Sequence, residues 1–268
     1  MTNCLDGNFY CTLYNFEFSC VKSMAIHKLI YRFDLASPMY GVIDRPGSIM
    51  KIIDDHFADQ KVEIGERQSE RRIIASKNDD GRVFTFSVAP GFVIASIESY
   101  SNIALGGTKL DSQFMASLKL TDELFTMMEV SEARRAGFRV YDFSLVGKPE
   151  GVETHKKFFS MVDAGLTSAI AGEGKSLDMA YTLQGEQADG TSFNVSVGPG
   201  DPEDFSKRLE DRILSERLNE SEDIDFVADV DFYQSNMPLK GSVASRWLRG
   251  VASRSVSTVA NIKRKLVL

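Results

Sequence analysis

Two copies of one short pattern constrain the fold of this chain more than any other feature. Residues 80–91 align without gaps on residues 189–200, and seven of the twelve positions are identical. Both copies begin with Asp-Gly, a favoured β-hairpin turn because glycine adopts positive φ without steric cost. Alternating residues then form a strand, and Pro-Gly ends it because proline cannot donate to a sheet. The pattern therefore predicts the same hairpin twice.

A second, shorter match supports an internal duplication. Residues 30–35 resemble residues 140–145 at an offset of 110, close to the offset of 109 between the two hairpins. The predicted order of elements is β-α-β-β-α twice, followed by a closing β-α. Hairpins mixed with helices predict an α+β fold with largely antiparallel sheet. We expect one compact pseudo-twofold globule, with a groove or a continuous sheet between its halves.

Hydrophobic periodicity places the individual elements. The predicted strands are 27–36, 138–146 and 224–233, the predicted hairpins are 66–77 with 82–98 and 177–198, and the predicted helices are 46–58, 111–132, 150–163, 203–218 and 243–266. Asp111 occupies the position of an N-cap, where a carboxylate accepts hydrogen bonds from the first backbone amides of a helix. Gly137 is expected to end the segment that follows that helix.

The repeats divide the chain into three parts. These are an N-terminal extension at 1–23, a first repeat at 24–136, and a second repeat with a C-terminal strand and basic helix at 137–268. The sequence from Met24 onward resembles a natural start, so we expect the extension to be a misassigned start or a loose segment. The alternative is an edge strand, because Tyr and Phe alternate with polar residues there.

The N-terminal residues and the cysteines favour the cytoplasm. Residues 1–20 contain no Lys or Arg, whereas a secretory signal begins with basic residues. The three cysteines, Cys4, Cys11 and Cys20, fit neither a compact zinc site nor a disulfide framework. No apolar run reaches the ~18 residues that a membrane span needs. We expect a soluble cytoplasmic protein without a transmembrane segment, and the compact chain without low-complexity segments favours a bacterial source.

Residues 169–176 resemble a phosphate-binding loop. In such a loop backbone amides hold the phosphates, and Gly174, Lys175 and Ser176 would contribute an amide, a cation and a magnesium-binding hydroxyl. The surroundings differ from a true loop, because a predicted helix precedes the segment and a hairpin strand follows it. The alternative is a glycine-rich connector with a polar tip.

Three carboxylates fall on one face of a predicted strand. Asp225, Asp229 and Asp231 alternate with apolar residues, so the period of two places them together. Carboxylates arranged in this way can hold Mg²⁺. The alternatives are a solvated strand face, or acids that lie against the basic C-terminal helix.

The C-terminal segment 242–268 is a basic amphipathic helix. It holds six bases and no acid, whereas residues 201–231 hold twelve acids and four bases. Such a helix can bind a protein partner, a membrane surface or nucleic acid. The candidate partner-binding residues are Arg246, Trp247, Arg249, Arg254, Lys263, Arg264 and Lys265. The alternative is a docking helix that packs its apolar stripe on the sheet and its bases against the acidic segment.

Two further groups of arginines could bind an anion. They are Arg134, Arg135 and Arg139, and the pair Arg71 and Arg72. Arg134 and Arg135 follow a predicted helix, and cations are favoured near helix C-termini for structural reasons. The arginines are therefore also explained without a ligand.

No catalytic constellation is recognisable in the sequence. We therefore expect a non-enzymatic interaction or regulatory module without a cofactor, which binds an unknown protein or a small ligand in the groove between the halves or through the C-terminal helix. Two alternatives stay open: a nucleotide- or metal-dependent enzyme using 169–176 or the three aspartates, and nucleic-acid or membrane-surface binding through 242–268. A net charge of −7 disfavours nucleic acid.

Overall fold

The structure analysed is a computed structural model. It describes residues 26–57, 61–67, 70–79, 81–106, 110–145, 158, 160, 180–198 and 224–266. Within these residues the chain is mixed α+β, with one large antiparallel sheet and four helices. None of the described helices is long and apolar enough to cross a membrane.

The described elements follow one another along the chain. The strands are β1 Ile26–Leu35, β2 Lys61–Arg67, β3 Glu70–Asp79, β4 Arg82–Ala89, β5 Phe92–Ser99, β6 Glu132–Leu145, β7 Tyr181–Glu186, β8 Ser192–Gly198 and β9 Ile224–Pro238. The helices are α1 Gly41–Asp44, α2 Pro46–His56, α3 Ser112–Met127 and α4 Val243–Leu266. The predicted helices at 46–58 and 243–266 therefore agree closely with α2 and α4.

All nine strands lie in one sheet in the order β2-β3-β4-β5-β1-β6-β9-β8-β7. Every pairing between neighbours is antiparallel. Strands β1 and β6 pair directly near the middle, from Ile26 and Asp142 to Leu35 and Ala133. The described parts of the two halves are thus joined by a continuous sheet, one of the two arrangements expected from the repeat.

The core lies between the helices and one face of the sheet, which we call the helical face. Leu29, Tyr31 and Phe33 of β1 alternate onto this face and are fully buried. The Tyr31 hydroxyl hydrogen-bonds with Thr121 of α3 at 3.0 Å, and the Phe33 ring packs edge-on against Phe125 at 5.3 Å. Alternation along the strand thus points Leu29, Tyr31 and Phe33 to the same face, as the period of a β-strand requires.

Helix α3 begins as predicted but ends earlier than predicted. The Asp111 side chain accepts hydrogen bonds from the amides of Gln113 and Phe114, both at 3.1 Å, which confirms the N-cap. The helix ends at Met127 rather than near residue 132, because Glu129 adopts a φ of 53° that no right-handed helix contains. Strand β6 then starts at Glu132, so Gly137 lies inside a strand and the expected role as a terminator was wrong.

The two Asp-Gly turns are confirmed as hairpin turns at their glycines. Gly81 has a φ of 75° and Gly190 a φ of 79°, the left-handed region that favours glycine. The predicted strand 82–98 was too coarse, because the chain turns at Pro90 and forms the two strands β4 and β5. Strand β2 was not predicted.

The shorter of the two sequence matches does not correspond to equivalent positions in the sheet. Tyr31 lies opposite Phe138 on the helical face, whereas Tyr141, its counterpart at an offset of 110, lies opposite Lys28 on the other face. The hairpin match behaves differently, because Phe84 and Phe193 both lie on the helical face. The likeness of residues 30–35 to 140–145 is therefore no evidence for the repeat.

Several predicted features lie outside the described residues. These are the extension 1–23, Asp80, the glycine-rich segment 169–176, and the predicted helices 150–163 and 203–218 apart from Phe158 and Ser160. Of these two, Phe158 is buried and packs edge-on against Phe226 of β9 with ring centroids 5.0 Å apart.

Candidate functional site

Helix α4 packs its apolar stripe on the helical face, as the docking alternative predicted. Ala244, Leu248, Val251, Ala252 and Val259 are buried along this stripe. Ser255, which interrupts the stripe in the sequence, is also buried and donates its hydroxyl to the Val251 carbonyl at 2.9 Å. The polar side chain is thus satisfied within the helix, and the packing stays continuous.

Two ion pairs between described residues tie α4 to β6 and to the β7–β8 turn, and the first involves Arg254. Its guanidinium donates to the Asp189 carboxylate at 2.7 Å and lies over the Phe232 ring at 5.6 Å. Asp189 also accepts from the Thr191 amide at 2.9 Å, so one carboxylate closes the β7–β8 turn and holds α4. That backbone hydrogen bond is the main reason why the pKa of Asp189 lies below its usual range, and Arg254 adds to the effect.

The second ion pair is buried. Lys263 donates to Asp142 of β6 at 2.9 Å, and the two residues are 8% and 1% exposed. Arg254 and Lys263 are therefore engaged within the chain, although the sequence made them candidate partner-binding residues. Their described acidic partners belong to β6 and to the β7–β8 turn. Most of the acid-rich segment 201–231 lies outside the described residues.

An apolar cavity of about 510 Å³ lies between the C-terminal half of α4 and the helical face of β7, β8 and β9. Its apolar lining includes Leu183, Phe193, Val195, Val197, Phe232 and Ile262. Strand β8 alternates Phe193, Val195 and Val197 onto the helical face, and α4 covers the space with Ile262 and the polar residues Thr258, Asn261 and Lys265. The apolar strand residues thus form the wall of the cavity, and the C-terminal half of α4 forms a mostly polar roof.

The outer end of the cavity is incompletely covered by the described residues. Tyr181 and Leu183 of the edge strand β7 line it and are 52% and 48% exposed. At the other end of the sheet α2 covers the helical face, where Phe57 packs against Phe84 at 4.8 Å between ring centroids. Ile64 on the opposite edge strand β2 is also 42% exposed, so Tyr181 and Leu183 differ from it in lining a cavity.

Four polar residues complete the lining: Gln187, Thr258, Asn261 and Lys265. No Asp, Glu, His or Cys occurs among the described residues that line the cavity. Lys265 is exposed and makes no ion pair with a described residue, while Lys263 two residues earlier is buried against Asp142. The cavity therefore has an apolar interior and one uncompensated cation among its described lining residues.

The predicted carboxylate face lies on the opposite side of the sheet from α4. Asp229 and Asp231 alternate with buried Ala228 and Val230, as the strand period predicted, and the side chain of Asp225 lies outside the described part. Arg139 donates two hydrogen bonds to Asp229, one of them at 2.7 Å. Across the part of the chain that the structure describes, no three metal-ligating side chains converge.

Asp231 is held less tightly than Asp229. Its carboxylate lies 3.5 Å from Arg135, which also stacks over the Tyr233 ring at 5.0 Å. Burial raises the pKa of Asp231 despite the nearby arginines. Arg139 thus pairs with Asp229, and Arg135 with Asp231. These cross-strand ion pairs between β6 and β9 explain both carboxylates without a metal ion.

The predicted anion-binding arginines are brought together only in part. Arg135 and Arg139 lie on the face opposite the helices, and Arg72 stacks over Phe92 at 5.1 Å there. Arg32, which the sequence did not single out, pairs with Asp34 at 2.7 Å and covers the same Phe92 ring. Arg32, Arg135 and Arg139 each pair with an aspartate. This face of the sheet therefore has little net positive charge with which to bind an anion.

The other candidate residues of α4 have different surroundings. Arg246, Arg249 and Arg264 are exposed, and Arg246 donates to the Ser242 hydroxyl at 3.4 Å. Trp247 is partly buried and packs edge-on against Phe33 at 6.5 Å, as expected for a core residue. Gly174, Lys175 and Ser176 lie outside the described residues, so the nucleotide hypothesis stays a prediction.

No protein-family model matches the chain, and no curated protein sequence matches it.

Proposed function

We propose that the protein is a non-enzymatic binding module that holds an apolar small ligand in the cavity between α4 and strands β7, β8 and β9. The cavity itself carries this proposal. Its volume of about 510 Å³ falls within the range of small-molecule sites, which run from ~300 to ~1,000 Å³. Such sites are mostly apolar with a few polar groups at chosen points, and this lining has that composition.

The lining favours binding over catalysis. General acid-base chemistry uses His, Asp, Glu, Lys, Tyr or Cys in a hydrogen-bonded arrangement with a second group. Among the described lining residues the titratable side chains are those of Lys265 and Tyr181, and neither makes a hydrogen bond or ion pair with another lining residue. The polar groups can therefore orient a ligand.

A ligand would also cover the exposed apolar residues of the edge strand. Tyr181 and Leu183 each lose roughly half of their accessible surface to the protein and keep the rest. Removing apolar surface from water contributes about 25 cal/mol per Å². An apolar occupant therefore gains free energy from the part of the sheet that the described residues leave uncovered.

We further infer that the two halves arose by internal duplication. Support comes from the order of strands outward from the middle, β1-β5-β4-β3 on one side and β6-β9-β8-β7 on the other. The Asp-Gly hairpins occupy matching places, and Phe84 and Phe193 point to the same face. In this reading the first half covers its outer end with α2, and the second half has the cavity there.

Titration with the neutral fluorescent dye Nile red tests the proposal. We expect saturable binding with enhanced, blue-shifted emission in the wild-type protein, because the dye leaves water for an apolar site. Val195→Trp adds bulk to the cavity wall and should weaken dye binding at least tenfold. Ile64→Trp is the matched control, since Ile64 is an exposed apolar residue of β2 at the opposite end of the sheet.

The control variant should bind the dye like the wild type. Equal weakening by both substitutions would show that the dye binds exposed apolar surface at large, and the cavity proposal would be wrong. Circular dichroism and thermal unfolding of each variant establish that the fold is retained. If Val195→Trp unfolds, Leu183→Gln at the open end of the cavity replaces it and should weaken dye binding in the same way.

A further inference from the structure

We propose that the ligand of this cavity is an amphipathic acid, with an unbranched apolar chain inside and a carboxylate against Lys265. This inference rests on the proposed binding function and specifies the chemical class of the ligand. It follows from the shape of the cavity, from the charge of its lining and from the surroundings of the nearby cations.

The cavity is bounded by a strand on one side and by a helix on the other. On the strand side the lining runs from Tyr181 of β7 to Gln187 just after this strand, and β7 itself spans roughly 17 Å at the rise of a β-strand. Its helical roof runs from Thr258 to Lys265, a length of roughly 10 Å at the rise of an α-helix. A space of this kind suits an elongated chain better than a compact polycyclic body.

The charges of the lining favour an anionic head group. Lys265 is the cation among the described lining residues, and no described carboxylate faces it across the cavity. Other cations of the same helix are already neutralised, Arg254 by Asp189 and Lys263 by Asp142. A carboxylate at Lys265 would therefore form the ion pair that the chain does not provide, whereas a cationic head group would be repelled.

Polar neighbours suit the same head group. Asn261 lies one helical turn before Lys265 and also lines the cavity, so both side chains project from the same side of α4. An amide and an ammonium group can donate hydrogen bonds to one carboxylate. The apolar lining of β8 then remains for the chain.

A structural role of Lys265 makes a different prediction. Cations in the last turn of a helix are favoured by the helix dipole whatever lies beside them. Lys263, Arg264 and Lys265 all lie in that turn, but Arg264 is exposed and does not line the cavity. Arg264 is therefore a matched control, because a dipole effect would be shared by both residues and a head-group effect would belong to Lys265 alone.

The test is displacement of Nile red by three probes with the same chain and different head groups: dodecanoate, dodecan-1-ol and dodecyltrimethylammonium, each below its micellar concentration. We expect the wild-type protein to bind dodecanoate about fivefold or more tightly than the alcohol, as an exposed ion pair allows, and the ammonium probe most weakly. Lys265→Gln should abolish the preference, Lys265→Arg should keep it, and Arg264→Gln should leave it unchanged. Raising the salt concentration should reduce the preference in the wild type.

The outcomes separate this inference from the proposed function. If Nile red binds the cavity but the three probes displace it equally, the acid inference is overturned while apolar binding stands. A preference for dodecanoate that survives Lys265→Gln would also overturn it. If neither Nile red nor any probe binds, the proposed function fails and the acid inference fails with it.

Discussion

Lys263 and Lys265 lie two residues apart in α4 and have opposite surroundings. Positions two apart on a helix point in different directions, so one side chain turns toward β6 and the other toward the cavity. Lys263 is 8% exposed and pairs with Asp142, while Lys265 is exposed and has no ion-pair partner among the described residues. The same residue type therefore stabilises the fold at one position and is available for a ligand at the other.

Lys263→Met should lower the free energy of unfolding by about 3 kcal/mol, because it removes the cation that pairs with the buried Asp142 carboxylate. Lys265→Met should change the free energy by less than about 0.5 kcal/mol, as is usual for exposed positions. Urea denaturation of both variants at neutral pH measures the difference. Similar losses at the two positions would mean that the Lys263–Asp142 pair does not anchor α4.

Single residues were predictable from the sequence where their role is local. Asp111 caps α3 through amides two and three residues away, and the alternation of Asp229 and Asp231 follows from the strand period. The partners of these aspartates were not predictable. Arg139 meets Asp229 because β6 and β9 pair in one register, and that register depends on residues 90 positions apart.

At the scale of elements, glycines in β-turns and glycines in strands have different backbone conformations. Gly81 and Gly190 have positive φ in the hairpin turns, whereas Gly137 lies inside β6 with extended backbone. A Cβ added at Gly137 would meet no atom within 4 Å. Only the turn glycines are therefore required by backbone geometry.

Gly81→Ala and Gly190→Ala should each destabilise the protein by about 1 to 2 kcal/mol, the cost of the left-handed region for a residue with a Cβ. Gly137→Ala is the matched control and should be neutral or stabilising by up to about 1 kcal/mol, because alanine reduces the entropy of the unfolded chain. Chemical denaturation measures all three. A larger loss at Gly137 than at the turns would contradict the assigned geometry.

The elements themselves were predictable to different degrees. Helices α2 and α4 were predicted nearly to the residue because each carries an apolar stripe over several turns. The end of α3 was missed because the break at Glu129 uses a backbone conformation that the residue type does not signal. The division of 82–98 into β4 and β5 was not predicted, although Pro90 lies between the two strands. A proline that ends a strand does not show that the chain turns back into the same sheet.

At the scale of the whole molecule, the cavity depends on how far α4 lies from the outer strands. Its wall residues follow ordinary strand alternation in the sequence, and its roof combines Ile262 with the polar residues Thr258, Asn261 and Lys265. The exposure of Tyr181 and Leu183 beside the cavity is a property of the assembled fold. The sequence therefore offered a docking helix as one alternative for residues 242–268, and it did not indicate the cavity beside that helix.

The whole sheet also explains why the carboxylate face and the cavity are separate. Asp229 and Asp231 lie on one side of β9, and Phe232 lies on the other side, where the cavity is. A ligand in the cavity therefore does not reach the predicted metal-binding face. The two hypotheses can be tested independently.

A methyl NMR shift map with dodecanoate tests most directly that the cavity is the binding site. With Ile, Leu and Val methyl groups labelled, we expect saturable shifts at Leu183, Val195, Val197 and Ile262. Methyl groups at the far end of the sheet, at Ile49, Val62 and Ile64, should not move. Shifts confined to the far end, or no shifts at saturating dodecanoate, would contradict binding in the cavity beneath α4.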